Sequence, residues 1–338
     1  MKAVLMTGYN RPLEVRDVED YGDLAVGEAV VKIEMTGVCY RDILTVEGHF
    51  PKAKPPLILG HEIAGRITAL GGDSKEFREG DRVVSLTYIA CGECTYCRRG
   101  QENICRKRLW FGEDLNGSYA EYVKTHIRSL VKVPDNIPAE GAAIAACVTG
   151  MVLHSLKRVG GAGAGDSALV TGAGGGVGIH AVQILKALGA RVIALTTSPE
   201  KAETIYSYGA DDVIIAGEKA YEQVRALTGG EGVDLVVETV GEPTFQLSLR
   251  SVKWGGRIAV IGNVTAASVN IPLGLLILRE NKVSGSISST KEDVKEALDM
   301  TASGRLKPVG RVFPLEKAQE AHEAVKRRKI LGRAFLKP

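Results

Sequence analysis

Hydrophobic and polar positions alternate over short stretches through roughly the first 145 residues. EAVVKIEM (28–35) and DRVVSL (81–86) are typical, and Gly, Pro and charged turns separate such runs. A period of two bounded by turn residues predicts a β-rich domain. The order changes near Gly150. From Ser167 onward strand-like and helix-like stretches take turns: SALVTG, VGIHAVQILKALG, RVIALTT, SPEKAETIYSYG, DDVIIA and YEQVRALTG, then VDLVVETV, PTFQLSLRSV, RIAVIGN, LGLLILRE and KVSGSIS. Six buried-strand runs joined by helices predict a doubly wound parallel sheet covered on both faces. After Ser288 come two helical stretches, KEDVKEALDMTASG and LEKAQEAHEAVKRR, around a strand, and then RAFLKP. This tail is too short for a core of its own and is expected to return to the first domain. The predicted domains are thus 1–147 with 285–338, and 148–284 inserted between them.

Composition narrows the class. A length of 338 residues calls for two domains, and 45% hydrophobic with 25% charged residues excludes a disordered or fibrous chain. No apolar run reaches the roughly 18 residues of a membrane span, and MKAVLMTGYNRPLEV reads as strand and turn without a signal-peptide core. A cytoplasmic protein is expected. The net charge of +3 is spread along the chain without a basic block, so neither nucleic acid nor membrane is expected as a partner. Glycine stands out: 40 residues exceed the average share of about 7%, which directs attention to the glycine-rich turns.

Two motifs carry chemistry. Cys91, Cys94, Cys97 and Cys105 follow the spacing C-x2-C-x2-C-x7-C. A loop of inert thiols or two local disulfides would be the bland reading, but four crowded thiols without a secretion signal predict a closed structural zinc site. The second motif is Gly172, Gly174, Gly175, Gly176, Val177 and Gly178, between a strand and a helix. Glycines there permit a tight turn and let backbone N–H groups approach a pyrophosphate at the helix N-terminus. The form G-A-G-G-G-V-G is one residue longer than the plain six-residue fingerprint. The next strand ends at Thr196, where NAD-binding folds place a carboxylate against the ribose. Hydroxyls on Thr197 and Ser198 and the Lys201 ammonium suit a 2′-phosphate, so NADP(H) is expected over NAD(H), although a lysine there also occurs in NAD enzymes. Val240, Ile261, Gly262 and Asn263 are further candidate cofactor contacts.

Three elements remain: Cys39 in TGVCYRD, His61-Glu62 in LGHEIAG, and Cys147 in AAIAACVTG. Singly they could be small buried hydrophobes and a core histidine. Together with the cysteine cluster and the glycine loop, they make the whole chain resemble the zinc-containing medium-chain dehydrogenase/reductase superfamily, of which alcohol dehydrogenase is the best-known member. The resemblance implies a GroES-like catalytic domain, an inserted Rossmann domain, and a catalytic zinc in the cleft between them. It implies Cys39, His61 and Cys147 as zinc ligands with an open fourth position, Glu62 as the neighbouring carboxylate, and Asp42 as the acceptor that orients the histidine. Two zinc ions per chain follow, as does hydride transfer between nicotinamide and substrate. A homodimer or homotetramer follows only by family analogy.

The sequence departs from the alcohol dehydrogenase pattern next to the first ligand. The family's usual Ser or Thr two residues beyond it is Arg41 here, and the histidine that often continues the proton relay is Leu44. A guanidinium stays protonated and cannot relay a proton. Arg41 is expected to pair with a nearby carboxylate, the alternative being a coenzyme A phosphate. CYRDILTVEGHFP and the G-x-x-G-G-V-G loop are instead similar to the quinone- and enoyl-reductase branch, within it to the archaeal acryloyl-coenzyme A reductases. Tyr40 and His49 become candidate proton donors or substrate-orienting groups, set against simple packing and a solvated loop. The leading expectation is reduction of an activated alkene or carbonyl, with a small molecule or acyl-CoA as substrate. A zinc alcohol dehydrogenase is the alternative, and an NADPH-binding protein without turnover the second alternative.

Overall fold

The computed structural model describes residues Met1–Pro338, which form two compact units. The first comprises Met1–Gly150, Ser288–Gly304 and Gly310–Pro338, and the second Met151–Ile287 and Arg305–Val309. A single return at 285 was expected from the sequence. Instead Arg305–Val309 goes with the second unit, where Lys307 N–H donates to Gln183 Oε1 at 2.9 Å and Val309 N–H to His180 Nε2 at 3.1 Å.

The alternating stretches of the first unit become β1 (Lys2–Met6), β2 (Glu14–Asp17), β3 (Glu28–Val38), β4 (Leu57–Ile58), β5 (Glu62–Leu70), β6 (Arg82–Ser85), β7 (Tyr88–Ile89), β8 (Leu109–Trp110), β9 (Tyr122–His126) and β10 (Leu130–Lys132). Short helices α1 (Tyr40–Val46), α2 (Thr95–Arg98) and α3 (Ala139–Ala143) interrupt them. In β3 the odd-numbered Ala29, Val31, Ile33 and Met35 point inward. The first three pack with Ile63, Ile67, Val83, Phe111 and Val123 into a core, each large aliphatic contributing about 1.5–3 kcal/mol on burial.

In the second unit, entered through α4 (Gly150–Arg158), the elements are β11 (Ser167–Val170), α5 (Gly178–Ala187), β12 (Arg191–Thr196), α6 (Ala202–Ser207), β13 (Asp212–Ile215), α7 (Ala220–Leu227), β14 (Val233–Glu238), α8 (Glu242–Ser251), β15 (Val252–Val260), α9 (Leu273–Arg279) and β16 (Lys282–Gly285). The six strands are parallel, in the order β13-β12-β11-β14-β15-β16. The order reverses at β11, the position where such sheets bind ligands beyond the strand ends. The outer strands β13 and β16 are only partly covered; a buried run was expected at both, but an edge strand has a neighbour on one side alone.

The chain closes with α10 (Lys291–Ala302), β17 (Gly310–Pro314), α11 (Ala318–Lys326) and β18 (Arg333–Lys337). The last strand extends the first unit's sheet, β10-β6-β5-β3-β18-β17, with β9 also paired to β3. Gly37 on β3 thereby faces Glu62 on β5 and Phe335 on β18. No helix is long and apolar enough to cross a membrane.

Candidate active site

The four clustered cysteines meet around one point. Their Sγ atoms are separated by 3.5 Å (Cys94–Cys97 and Cys91–Cys105), 3.8 Å (Cys94–Cys105) and 3.9 Å (Cys91–Cys97). A tetrahedron of thiolates at the usual zinc–sulfur length has edges of about 3.8 Å, whereas a disulfide would bring two sulfurs to about 2.05 Å. The donor set fits zinc, and all six cysteines are free of disulfides. Backbone N–H groups of Glu93 and Cys94 donate to Cys91 and bring its pKa down to about 6, while burial drives Cys97 up to about 12. Short turns such as Gly92, with φ +80°, allow the loop to wrap.

The second constellation is assembled by three separate elements. Cys39 caps the N-terminus of α1 at the end of β3, His61 and Glu62 open β5, and Cys147 sits in a widened π-turn, Ala145–Thr149. Such turns often mark functional sites. Their ligand atoms lie within 4.8 Å of one another. Cys147 Sγ is 3.3 Å from His61 Nε2 and 4.0 Å from Cys39 Sγ, spacings that two sulfurs and one imidazole nitrogen around a tetrahedral zinc require. The opposite ring nitrogen, His61 Nδ1, is 3.2 Å from Asp42 Oδ1. That contact is close but off-line, since Nδ1 has no well-aligned acceptor. Burial disfavours the His61 cation, yet Asp42 and Cys39 outweigh it and lift the pKa to about 10 without metal. Of the coupled thiols, Cys39 is the one driven down, by Cys147 first and then by Arg333 and His61, and Cys147 is driven up.

Glu62 does not stand free beside these donors. Its carboxylate is gripped by Arg333, with Nε donating to Oε2 at 3.0 Å and the second guanidinium arm reaching Oε1. The pair spans β3 at Gly37, where a Cβ would overlap Glu62 Oε2. Burial raises the Glu62 pKa against the pull of Arg333. Arg333 escaped the sequence reading because it lies 271 positions away and no local pattern marks it.

Arg41 is paired, to Glu113, and its guanidinium lies 5.2 Å from the Phe50 ring centroid and 5.1 Å from that of Trp110. Leu44 is buried. Tyr40 is half-buried, and His49 is largely exposed, with Nε2 4.0 Å from Glu47. Neither is brought into the constellation by any recorded bond to its four members.

In the second unit the glycine loop joins β11 to α5. Gly172, at φ +59°, has Val240 Cγ2 and Thr239 Oγ1 within 2.9 Å of where a Cβ would stand. Gly174 is equally close to Lys201 Cδ, with Thr196 Oγ1 3.5 Å away, and Gly241 lies against Asn263 and Gly262. The backbone at Gly178 touches that of Gly172 too closely for any side chain. Thus Gly172, Gly174, Gly178, Thr196, Lys201, Val240, Gly262 and Asn263 gather at the C-terminal ends of the central strands, with Gly175, Gly176 and Val177 in the same loop. Ser198 N–H donates to Thr196 Oγ1 at 3.1 Å, and Ile261 N–H to the Glu238 carbonyl at 2.9 Å. Glu238 was missed: fully buried, it accepts from Thr171, Ser248 and Thr244 hydroxyls and from the Val240 and Gly241 N–H groups, which fixes the loop carrying Val240. An acid ending an apolar strand was the available signal.

A family profile described as alcohol dehydrogenase GroES-like domain matches residues 25–135, and one described as zinc-binding dehydrogenase matches residues 176–303. The chain is 42% identical to an acryloyl-coenzyme A reductase of Sulfurisphaera tokodaii, with 100% of each covered. It is 37% identical to an alcohol dehydrogenase of Geobacillus stearothermophilus, over 100% of this chain and 99% of that one. The crystal structure of an alcohol dehydrogenase from Aeropyrum pernix superposes with a TM-score of 0.93 at 28% identity, covering 100% of both chains.

Proposed function

Because the chain belongs to the zinc-containing, alcohol dehydrogenase-like family of medium-chain dehydrogenases/reductases, we propose that it reduces an activated alkene or carbonyl with NADPH, an acryloyl-CoA or enoyl-type ester being the best substrate. The observation that carries this reading is Arg41. Two residues past Cys39 the chain presents a guanidinium committed to Glu113 and stacked on Trp110, where alcohol oxidation needs a group that passes a proton. Arg41 holds its proton permanently.

Zinc held by Cys39, His61 and Cys147 would polarise the substrate oxygen, and nicotinamide would supply the hydride. The chain's own part is to hold these donors in place. Asp42 accepts from Cys39 N–H at 2.9 Å and faces His61 Nδ1, which leaves Nε2 for the metal. In alkene reduction the hydride goes to the β-carbon and a proton to the α-carbon, so two electrons from the cofactor and one external proton balance the step. Tyr40 is the proposed donor or orienting group, with His49 as the second candidate.

Two features support NADPH over NADH: Thr196 ends β12 where a carboxylate would repel a 2′-phosphate, and Lys201 lies over Gly174. A homodimer or homotetramer is proposed from the exposed apolar face of α9 (Leu273, Ile277 and Leu278, each at least 70% exposed) beside the open edge of β16. Six unbridged thiols suit a cytoplasmic, reducing setting. The intact Cys39–His61–Cys147 set keeps alcohol dehydrogenase as the second reading.

The test follows NADPH consumption with acryloyl-CoA, simple enones, aldehydes and ketones, and NADP reduction with primary alcohols. Alkene or carbonyl reduction should exceed alcohol oxidation at least about tenfold, or about 1.4 kcal/mol. Efficient oxidation of ethanol or benzyl alcohol near neutral pH, with no alkene reduction, would return the chain to the alcohol dehydrogenases.

A further inference from the structure

Behind His61 a buried chain of hydrogen bonds continues past Asp42. Asp42 Oδ2 accepts from Tyr119 Oη at 3.0 Å, and Tyr119 Oη is 3.1 Å from His322 Nε2 on α11. Tyr119 and Asp42 are completely or nearly completely buried, and His322 is 7% exposed. The same tyrosine also braces the backbone that presents the histidine. Tyr119 N–H donates to the Leu59 carbonyl at 2.9 Å and Ser118 N–H to that of Gly60 at 3.1 Å. Gly60, at φ +92°, has no room for a Cβ beneath the Tyr119 ring.

Donor counting gives this chain a direction. Asp42 Oδ2 is met by two donors, Cys39 N–H and Tyr119 O–H, while Oδ1 faces His61 Nδ1 at 3.2 Å, so the carboxylate acts only as an acceptor. Tyr119 has one proton and gives it to Asp42. His322 Nε2 must then be the donor to Tyr119 Oη. Its ring is neutral, because burial brings its pKa down to about 4.

We infer that Tyr119 and His322 are positioning residues for the Cys39–His61–Cys147 site: through Asp42 they fix the His61 ring with Nε2 toward the metal and so set how tightly that metal is held. The inference rests on the reading of that site as a metal centre. Neither residue touches a ligand atom or the substrate in this role.

Cobalt(II) tests it, loaded into both metal sites of the full chain, with release to a chelator followed through the d–d bands. The four-thiolate site at Cys91 serves as the internal control. Tyr119→Phe and His322→Leu should each speed cobalt loss from the Cys39 site about tenfold, the low end for groups behind a ligand, and shift its bands, with the four-thiolate signal unchanged. His322→Gln keeps an N–H donor and should restore slow release. Release within about twofold of wild type in a Tyr119→Phe protein that keeps its four-thiolate cobalt would overturn the inference, that outcome being below the effect of any such partner. So would His322→Gln behaving like His322→Leu, which would reduce the role to packing. Should Tyr119→Phe lose both cobalt signals through misfolding, the two His322 variants decide alone. Wild-type protein that takes cobalt only at the four-thiolate site would refute the metal reading itself, a result distinct from unaltered release in the variants.

Discussion

Replacing Arg333 by Met isolates the energetics of the ion pair beneath the candidate metal site. Glu62 is fully buried and the Arg333 side chain 6% exposed, so water cannot take over either charge. Breaking one side of a buried pair costs about 3–5 kcal/mol. For a unit of this size each kcal/mol lowers the melting temperature by about 2–4 °C, giving an expected drop of roughly 6–20 °C. Burial already pushes the Glu62 pKa upward, and without Arg333 only the weaker pull of His61 opposes it. A carboxyl with a raised folded-state pKa binds a proton that the unfolded chain releases. Its stability contribution is present below the unfolded value of about 4.3 and is lost as pH rises through the folded one. The deficit of Arg333→Met should therefore be smaller near pH 5 than near pH 8. Thermal unfolding at both pH values measures it, together with the double variant Glu62→Leu/Arg333→Met, which removes the stranded charge and should recover at least half the loss. A single variant melting within about 2 °C of wild type at pH 8 would refute the argument, since it corresponds to under about 1 kcal/mol.

Replacing Cys91, Cys94, Cys97 or Cys105 by Ser should release one zinc and lower stability or solubility more than it alters turnover per folded molecule, because a closed site contributes to folding; metal analysis finding the wild type zinc-free and fully folded would contradict this. Wild type should bind NADPH more tightly than NADH, and Thr196→Asp should shift the preference toward NADH by charge repulsion. Tenfold tighter NADH binding by wild type, about 1.4 kcal/mol, would count against the argument from the end of β12. Ile277→Lys on α9 should reduce the oligomer to smaller species by light scattering, and a monomeric wild type would remove the basis for that expectation.

Alternation, glycine placement and the tight cysteine spacing made the β-rich unit, the six-stranded parallel sheet and the four-thiol loop legible, because each depends on residues close together in sequence; Cys39 and Cys147, 108 positions apart, were joined with His61 only through the family resemblance. What stayed hidden depends on register between distant strands. Arg333 meets Glu62 only because β18 and β5 flank β3 and because Gly37 leaves a gap between them. Tyr119 reaches Asp42 from a loop, and His322 reaches Tyr119 from a helix 203 positions further on. The short return of Arg305–Val309 to the second unit is tied by two bonds between Lys307 backbone and Gln183 and one from Val309 N–H to His180, all on α5, which no periodicity announces. Glu238 read as part of a buried strand, and only the folded loop reveals the hydroxyls and amides that satisfy it.

The three metal-facing donors alone do not choose between reducing an alkene and oxidising an alcohol, since both need an oxygen held at an open metal position. On the proposed reading the choice falls to α1, which follows Cys39 directly. That helix is held by committed polar contacts of Asp42 to Cys39 N–H and Tyr119, of Arg41 to Glu113 and the Trp110 and Phe50 rings, and, just past its end, of Glu47 to Lys326. Trp110 is itself flanked by Arg108, which donates to the Cys105 carbonyl of the four-thiolate loop at 2.6 Å. A hydroxyl at position 41 would leave the Glu113 carboxylate, 12% exposed, without its cation and cost about 1–3 kcal/mol or more in desolvation. The arginine is thus part of how α1 is anchored to the four-thiol loop through Trp110 and Arg108. That anchoring agrees with the proposed reduction, whose proton need not leave past residue 41.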